Sequence, residues 1–127
     1  MKRLFTFLSE RPSWTFFLAI TWTIVIFIGC SLPGKEIPKL GLFAHVDKVI
    51  HFSFFIVFFL LWSIRVKGNF RTNLCIFLIA IAYGFGLEFY QLHFVAGRSF
   101  DVWDGIADTA GALVGWGLTS QIIRLTK

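Results

Sequence analysis

The chain has 127 residues, enough for one domain, of which 57% are hydrophobic and 15% are charged. Soluble domains contain about 45–50% apolar and about 25% charged residues, so this composition argues against a soluble globular protein. The formal charge of +5 does not indicate nucleic acid binding, because the basic residues are divided among the termini and the loops between apolar stretches.

Four apolar stretches follow one another along the chain, at about 14–32, 48–66, 73–95 and 103–123. A helix needs about 20 apolar residues to cross a bilayer, so each stretch predicts one membrane span. Between the first two, the segment from Ser31 to Gly41 contains Pro33 and Pro38, which predict a loop. The short connections predict an all-α fold for residues 1–127, an integral membrane four-helix antiparallel bundle.

The distribution of charge predicts the orientation of this bundle. Eight of the 12 Lys and Arg residues lie at the two termini and between spans two and three. By the positive-inside rule, both termini are therefore cytoplasmic. Six of the seven acids and all three histidines then fall on the outer side. The two cysteines, Cys30 and Cys75, lie near opposite surfaces in this topology and are not expected to pair.

Span three carries an acid on a stripe of small residues. Ala80, Gly84 and Glu88 are spaced four residues apart, and Gln91 follows three residues later. This spacing places them on one helix face, where small residues allow neighbouring helices to approach closely. The pattern predicts that Glu88 points into the bundle, either as a functional carboxylate or as a protonated group that is hydrogen-bonded to Gln91 or another helix.

Spans two and four direct ionisable side chains at the same volume. Asp104 and Asp108 share a face with Gly111 and Gly115, while Asp47 shares one with His51 and Phe55. Asp101 is a predicted N-cap of span four and Asp47 of span two, although capping alone would explain Asp101. A carboxylate two turns into a span, as at Asp108, costs about 2.5–3.5 kcal/mol unless it is paired or solvated.

Three neighbouring side chains have predicted supporting roles. Asp47 lies one turn before His51, so its carboxylate is expected to orient the imidazole ring. Lys48 is expected to extend into the outer head groups. Arg98 is expected to hold Asp101 or Asp104, or to present its guanidinium to a phosphate or carboxylate.

The resulting polar pocket contains more acids than bases, so either some carboxyls stay protonated or a cation completes the set. A divalent ion bound by carboxyl oxygens and His51 is one alternative, but the spacing is not a recognised metal motif, and no metal or cofactor is predicted. Glu88, His51 and Asp104 are the candidate catalytic residues. The predicted ligand-binding residues are Asp47, Lys48, His51, Glu88, Gln91, Arg98, Asp101, Asp104 and Asp108.

Four short motifs in this region resemble the VanZ-like family of small bacterial membrane proteins. They are DKVIHF (47–52), EFYQ (88–91), GRSFDVWD (97–104) and DTAGALVG (108–115), and the range 47–115 that they span is more than half of the chain. The resemblance implies a multi-pass protein of the bacterial cytoplasmic (inner) membrane. One member is associated with resistance to the glycopeptide teicoplanin, and no catalytic activity is firmly attached to the family. Many members carry Asn where this chain has Asp108, which leaves a hydrogen-bonding role open.

The leading functional hypothesis is a pocket that binds the head group of an envelope lipid or of an anionic lipid-linked precursor. Alternatives are a membrane enzyme that performs acid–base chemistry on a lipid-linked substrate, and a structural accessory protein. A proton- or cation-coupled carrier, as a homo-oligomer, would require acids along the cytoplasmic half of its path, and the sequence has none there. Membrane lipids are the expected partners, without nucleic acid.

Overall fold

The computed structural model describes residues 2–33, 46–66 and 69–126, and these ranges contain helices and no strand. The helices are α1 (Lys2–Glu10), α2 (Pro12–Cys30), α3 (Val46–Arg65), α4 (Phe70–Phe94) and α5 (Val102–Thr126). Each predicted span corresponds to one of α2–α5, with ends that differ by a few residues. The predicted loop from Ser31 to Gly41 lies, beyond Pro33, outside the described residues.

Within these ranges, α2, α3 and α4 are long and apolar enough to cross a membrane, judged by length and composition. α5 has the same length as α4 but is less apolar. Three of its polar residues, Asp104, Asp108 and Thr119, are buried among the described helices. The fourth predicted span is therefore a helix of 25 residues, but it is not among the helices apolar enough to cross a membrane.

The most extensive helix contact joins α3 and α5. The two helices run parallel, as shown by the successive contacts Lys48–Asp104, His51–Asp108 and Phe59–Gly115. Gly111 faces the main-chain carbonyl of Phe52, and a Cβ on Gly115 would lie 2.8 Å from Cβ of Phe59. Only glycine, which has no side chain, allows the two helix backbones to lie this close together. The glycine face thus makes α3 the main partner of α5, although α4 is its neighbour in sequence and packs antiparallel to it.

The apolar core lies where α2, α3 and α4 meet α5, and it includes Ile26, Phe55, Phe59 and Ala80. On the opposite side of α2, large apolar side chains such as Trp14 and Phe17 are exposed. Exposed apolar surface of this extent is unusual for a soluble protein and suits contact with lipid.

Two side chains of α4 donate hydrogen bonds to main-chain carbonyls of α2. The Tyr83 hydroxyl donates to the carbonyl of Thr23 at 2.8 Å, and Gln91 Nε2 donates to the carbonyl of Cys30 at 2.9 Å. The second bond satisfies one of the carbonyls that the end of a helix leaves without an intrahelical partner. Cys30 and Cys75 are both free, as predicted.

Candidate functional site

Nearly all the predicted site residues lie together in a network of short polar contacts at one end of the packed helices. α3, the last turns of α4, the segment before α5 and the start of α5 all contribute. We call this network the ionic cluster, and its members are Asp47, Lys48, His51, Glu88, Arg98, Asp101, Asp104 and Asp108. Gln91 is buried but lies outside the cluster, since its amide binds α2.

The deepest pair of the ionic cluster joins α3 to α5. His51 Nδ1 lies 3.0 Å from Asp108 Oδ1, and both side chains are buried. The prediction that Asp47 orients the His51 ring is therefore wrong: the parallel packing of α3 and α5 brings Asp108 to the ring instead. The other oxygen of Asp108 faces Gly84, where a Cβ would lie 2.7 Å from it. The small residue in α4 thus makes room for the carboxylate.

Glu88 is fully buried and links α4 to the start of α5. Its Oε2 accepts a hydrogen bond from the backbone N–H of Asp101 at 2.9 Å. Its Oε1 has no hydrogen-bond partner within the described part of the chain. The predicted burial of Glu88 is confirmed. Gln91, one of the two alternatives for its partner, binds α2 instead.

Lys48 bridges two acids instead of extending into the head groups as predicted. Its Nζ lies 2.7 Å from Asp101 Oδ2 and 3.0 Å from Asp104 Oδ1. Asp101 precedes α5 and accepts the N–H of Trp103 at 2.8 Å, which confirms its predicted capping role. The Lys48 ammonium, with help from this N–H, lowers the pKa of the Asp101 carboxyl.

Arg98 holds Asp47 and neither of its two predicted partners. Its Nη1 donates to Asp47 Oδ2 at 3.0 Å. Asp47 is not the N-cap predicted for it, because α3 begins at Val46 and places it within the first helical turn. An acid there still interacts favourably with the helix dipole. Arg98 therefore ties the segment before α5 to the start of α3.

Three members of the ionic cluster have the geometry of possible metal ligands. Asp47, His51 and Asp104 each offer one ligand atom, and these three atoms lie within 4.8 Å of one another. The sequence spacing does not reveal this group, since Asp104 is far from the other two along the chain. The helix contact that brings it near depends on Gly111 and Gly115.

Among the described residues, His93 does not belong to the ionic cluster. His93 is exposed, and its Nδ1 lies 2.9 Å from the carbonyl of Phe89 on its own helix. His45 falls outside the described residues.

Comparison with known proteins identifies one family. A family model described as VanZ/LLP1 matches residues 4–124. The match includes every member of the ionic cluster and reaches all five helices. Comparisons with curated proteins and with solved structures gave no match.

Proposed function

The chain belongs to the VanZ/LLP1 family, and from this membership and the ionic cluster we propose that it binds the polar head group of an envelope lipid or of a lipid-linked anionic precursor. In this proposal it is a multi-pass protein of the bacterial cytoplasmic membrane, with α5 as a fourth span and with cytoplasmic termini. The ionic cluster then lies at the depth of the outer head groups, formed by the first two turns of α3 and α5, the end of α4 and the segment before α5.

The observation that carries the proposal is the accessibility of two ion pairs. The side chains of Lys48 and its partner Asp101 are 30% and 38% exposed. Arg98 is 13% exposed and its partner Asp47 is 39% exposed. Exposed ion pairs contribute only about 0–1 kcal/mol to stability. Because Asp101 and Asp47 are the exposed partners of these pairs, a phosphate can take the place of either carboxylate beside its cation, and Arg98 can bind it with two donors.

The excess of carboxylates limits which head groups fit. A carboxylate that gives up its cation to a phosphate needs another hydrogen-bond donor, because an unpaired charge near the protein interior is costly. Hydroxyl or ammonium groups on the same head group supply that donor. We therefore expect a head group that carries a phosphate together with sugar hydroxyls or an amine, and weak binding of inorganic phosphate alone.

Native mass spectrometry of the protein released from mild detergent tests the proposal. Wild type should retain a lipid adduct of discrete mass, and Arg98→Ala should lose it. Arg71→Ala is the matched control, because Arg71 is exposed at the start of α4, away from the ionic cluster. If Arg98→Ala retains the same adduct at the same occupancy, or if Arg71→Ala loses it equally, the cluster is not the binding site.

A second candidate function, hydrolysis or transfer at a lipid-linked phosphate or sugar, is favoured by the His51–Asp108 pair. A carboxylate that holds one imidazole nitrogen leaves the other suited to act as a general base. This function would be supported if wild type converted a lipid-linked substrate and if His51→Gln and Glu88→Gln lost that activity. His93→Gln should retain it. Lipid binding without turnover would favour the binding protein.

A contribution to teicoplanin resistance is a separate part of the proposal. It is tested by expressing the chain in a susceptible bacterium and measuring the minimal inhibitory concentration. An increase that Arg98→Ala abolishes would connect resistance to the ionic cluster. Equal concentrations for wild type and an empty vector would remove resistance from the proposal. Loss of folding in every cluster variant alike would instead indicate a purely structural role.

A further inference from the structure

Three possible metal ligands converge between α3 and α5. A ring nitrogen of His51 and one carboxylate oxygen each from Asp47 and Asp104 lie within 4.8 Å of one another. Asp47 and His51 share a face of α3 because they are one turn apart, and Asp104 comes from the first turn of α5. We propose that these three side chains bind one divalent transition-metal ion.

The orientation of His51 supports a metal site. Its Nδ1 lies 3.0 Å from Asp108 Oδ1, while the described residues provide no hydrogen bond to its Nε2. Histidines that bind metals usually donate their second ring N–H to a carboxylate or carbonyl, which fixes the tautomer and makes the ligand nitrogen more basic. Asp108 would thus be a positioning residue that prepares Nε2 for the metal.

A buried, unpaired carboxylate oxygen within the ionic cluster is the second supporting observation. Glu88 is fully buried, and among the described residues Oε1 has no hydrogen-bond partner. The five acids of the ionic cluster face only two fixed cations, Lys48 and Arg98. A dication would offset this excess of negative charge.

Both aspartates keep an oxygen for the metal. Lys48 binds Oδ1 of Asp104 and Arg98 binds Oδ2 of Asp47, so the second oxygen of each carboxylate is free of these cations. Zn²⁺ holds its ligands at about 2.0–2.2 Å, so the three ligand atoms need to approach by about an ångström, which side-chain rotation can supply. One imidazole with two carboxylates suits Zn²⁺ or Mn²⁺ better than Ca²⁺, which takes oxygen ligands.

Calorimetric titration of the full-length protein with Zn²⁺ and Mn²⁺ tests the inference. The protein is purified in detergent with a tag that contains no histidine and is treated with a chelator beforehand. Wild type should bind one ion per chain, and His51→Gln and Asp104→Asn should abolish binding. Asp108→Asn should weaken it by about 10- to 100-fold, as for other residues that orient a metal ligand.

His93→Gln is the matched control and should bind as wild type does, because His93 is exposed and lies outside the ionic cluster. Asp47→Asn adds a ligand variant with little risk to folding, since Asp47 is partly exposed; helix content by circular dichroism identifies any misfolded variant. The inference would be overturned if wild type bound no ion, or if folded Asp47→Asn and His51→Gln bound it as wild type does. It would also be overturned if His93→Gln lost binding equally. No lipid is added and ion binding is measured in place of lipid mass, so failure of this inference and failure of the head-group proposal are distinguishable.

Discussion

His51 and Asp108 connect two parallel helices at a buried point where Nδ1 and Oδ1 are 3.0 Å apart. Asp108→Ala should lower the free energy of unfolding by about 1–3 kcal/mol, the usual effect of leaving a buried polar group without its partner. Asp108→Asn should lower it less, because the amide keeps a hydrogen-bonding group beside Nδ1. Unfolding of the purified variants in mixed detergent measures both values. Equal losses for Ala and Asn would show that a neutral hydrogen-bonding group at this position does not stabilise the protein.

Gly111 and Gly117 lie on the same helix, but Gly111 is closely packed and Gly117 is not. Gly111 faces the carbonyl of Phe52, while a Cβ on Gly117 would meet nothing within 4 Å. Gly111→Ala should destabilise the protein by about 1–3 kcal/mol, since backbone cannot move aside as a side chain can. Gly117→Ala should be neutral or stabilising by up to about 1 kcal/mol. Thermal unfolding in detergent compares them, and equal effects would contradict the close packing of α3 and α5.

Lys48 and Asp104 should be energetically coupled. Lys48→Met leaves the buried Asp104 carboxylate without its cation, and Asp104→Asn removes the charge that Lys48 offsets. The double variant should therefore be less destabilised than the sum of the two single variants, by about 0.5–3 kcal/mol. A double-mutant cycle of unfolding free energies measures this difference. Strict additivity would mean that the 3.0 Å contact carries no net energy.

Acidification should weaken the contact between Lys48 and Asp101. The pKa of Asp101 is lower in the folded protein than its ordinary value, mainly because of the Lys48 ammonium. This contact therefore stabilises the protein above the unfolded-state pKa, about 4 for Asp, and the contribution is lost as the pH falls through the folded-state pKa.

The measurement is the unfolding midpoint as a function of pH, with a chelator present. Wild type should lose more stability than Asp101→Asn as the pH falls below about 4. The unfolding midpoints of the two proteins should therefore approach each other at low pH. Parallel pH profiles would show that Asp101 does not contribute to the acid sensitivity.

Helical periodicity in the sequence was sufficient to identify the faces that carry the site, but not the contacts within it. Glu88 and Asp108 lie on stripes of small residues, and both are buried as expected. The predicted partners of Asp47 and Arg98 were wrong, because periodicity does not specify how far one helix slides or rotates against another. Arg98 in addition lies in a segment without periodicity, so its direction depends on the neighbouring helices.

The two hydrogen bonds that join α4 to α2 constrain which sequence changes α2 can accept. Tyr83 and Gln91 bind the carbonyl oxygens of Thr23 and Cys30, which any residue type supplies. Substitutions along α2 therefore leave these two bonds available. Inserting or deleting one residue between positions 23 and 30 would shift one carbonyl by about 1.5 Å and rotate it by about 100° relative to the other. The number of residues between the two carbonyls is thus constrained more strongly than their identity.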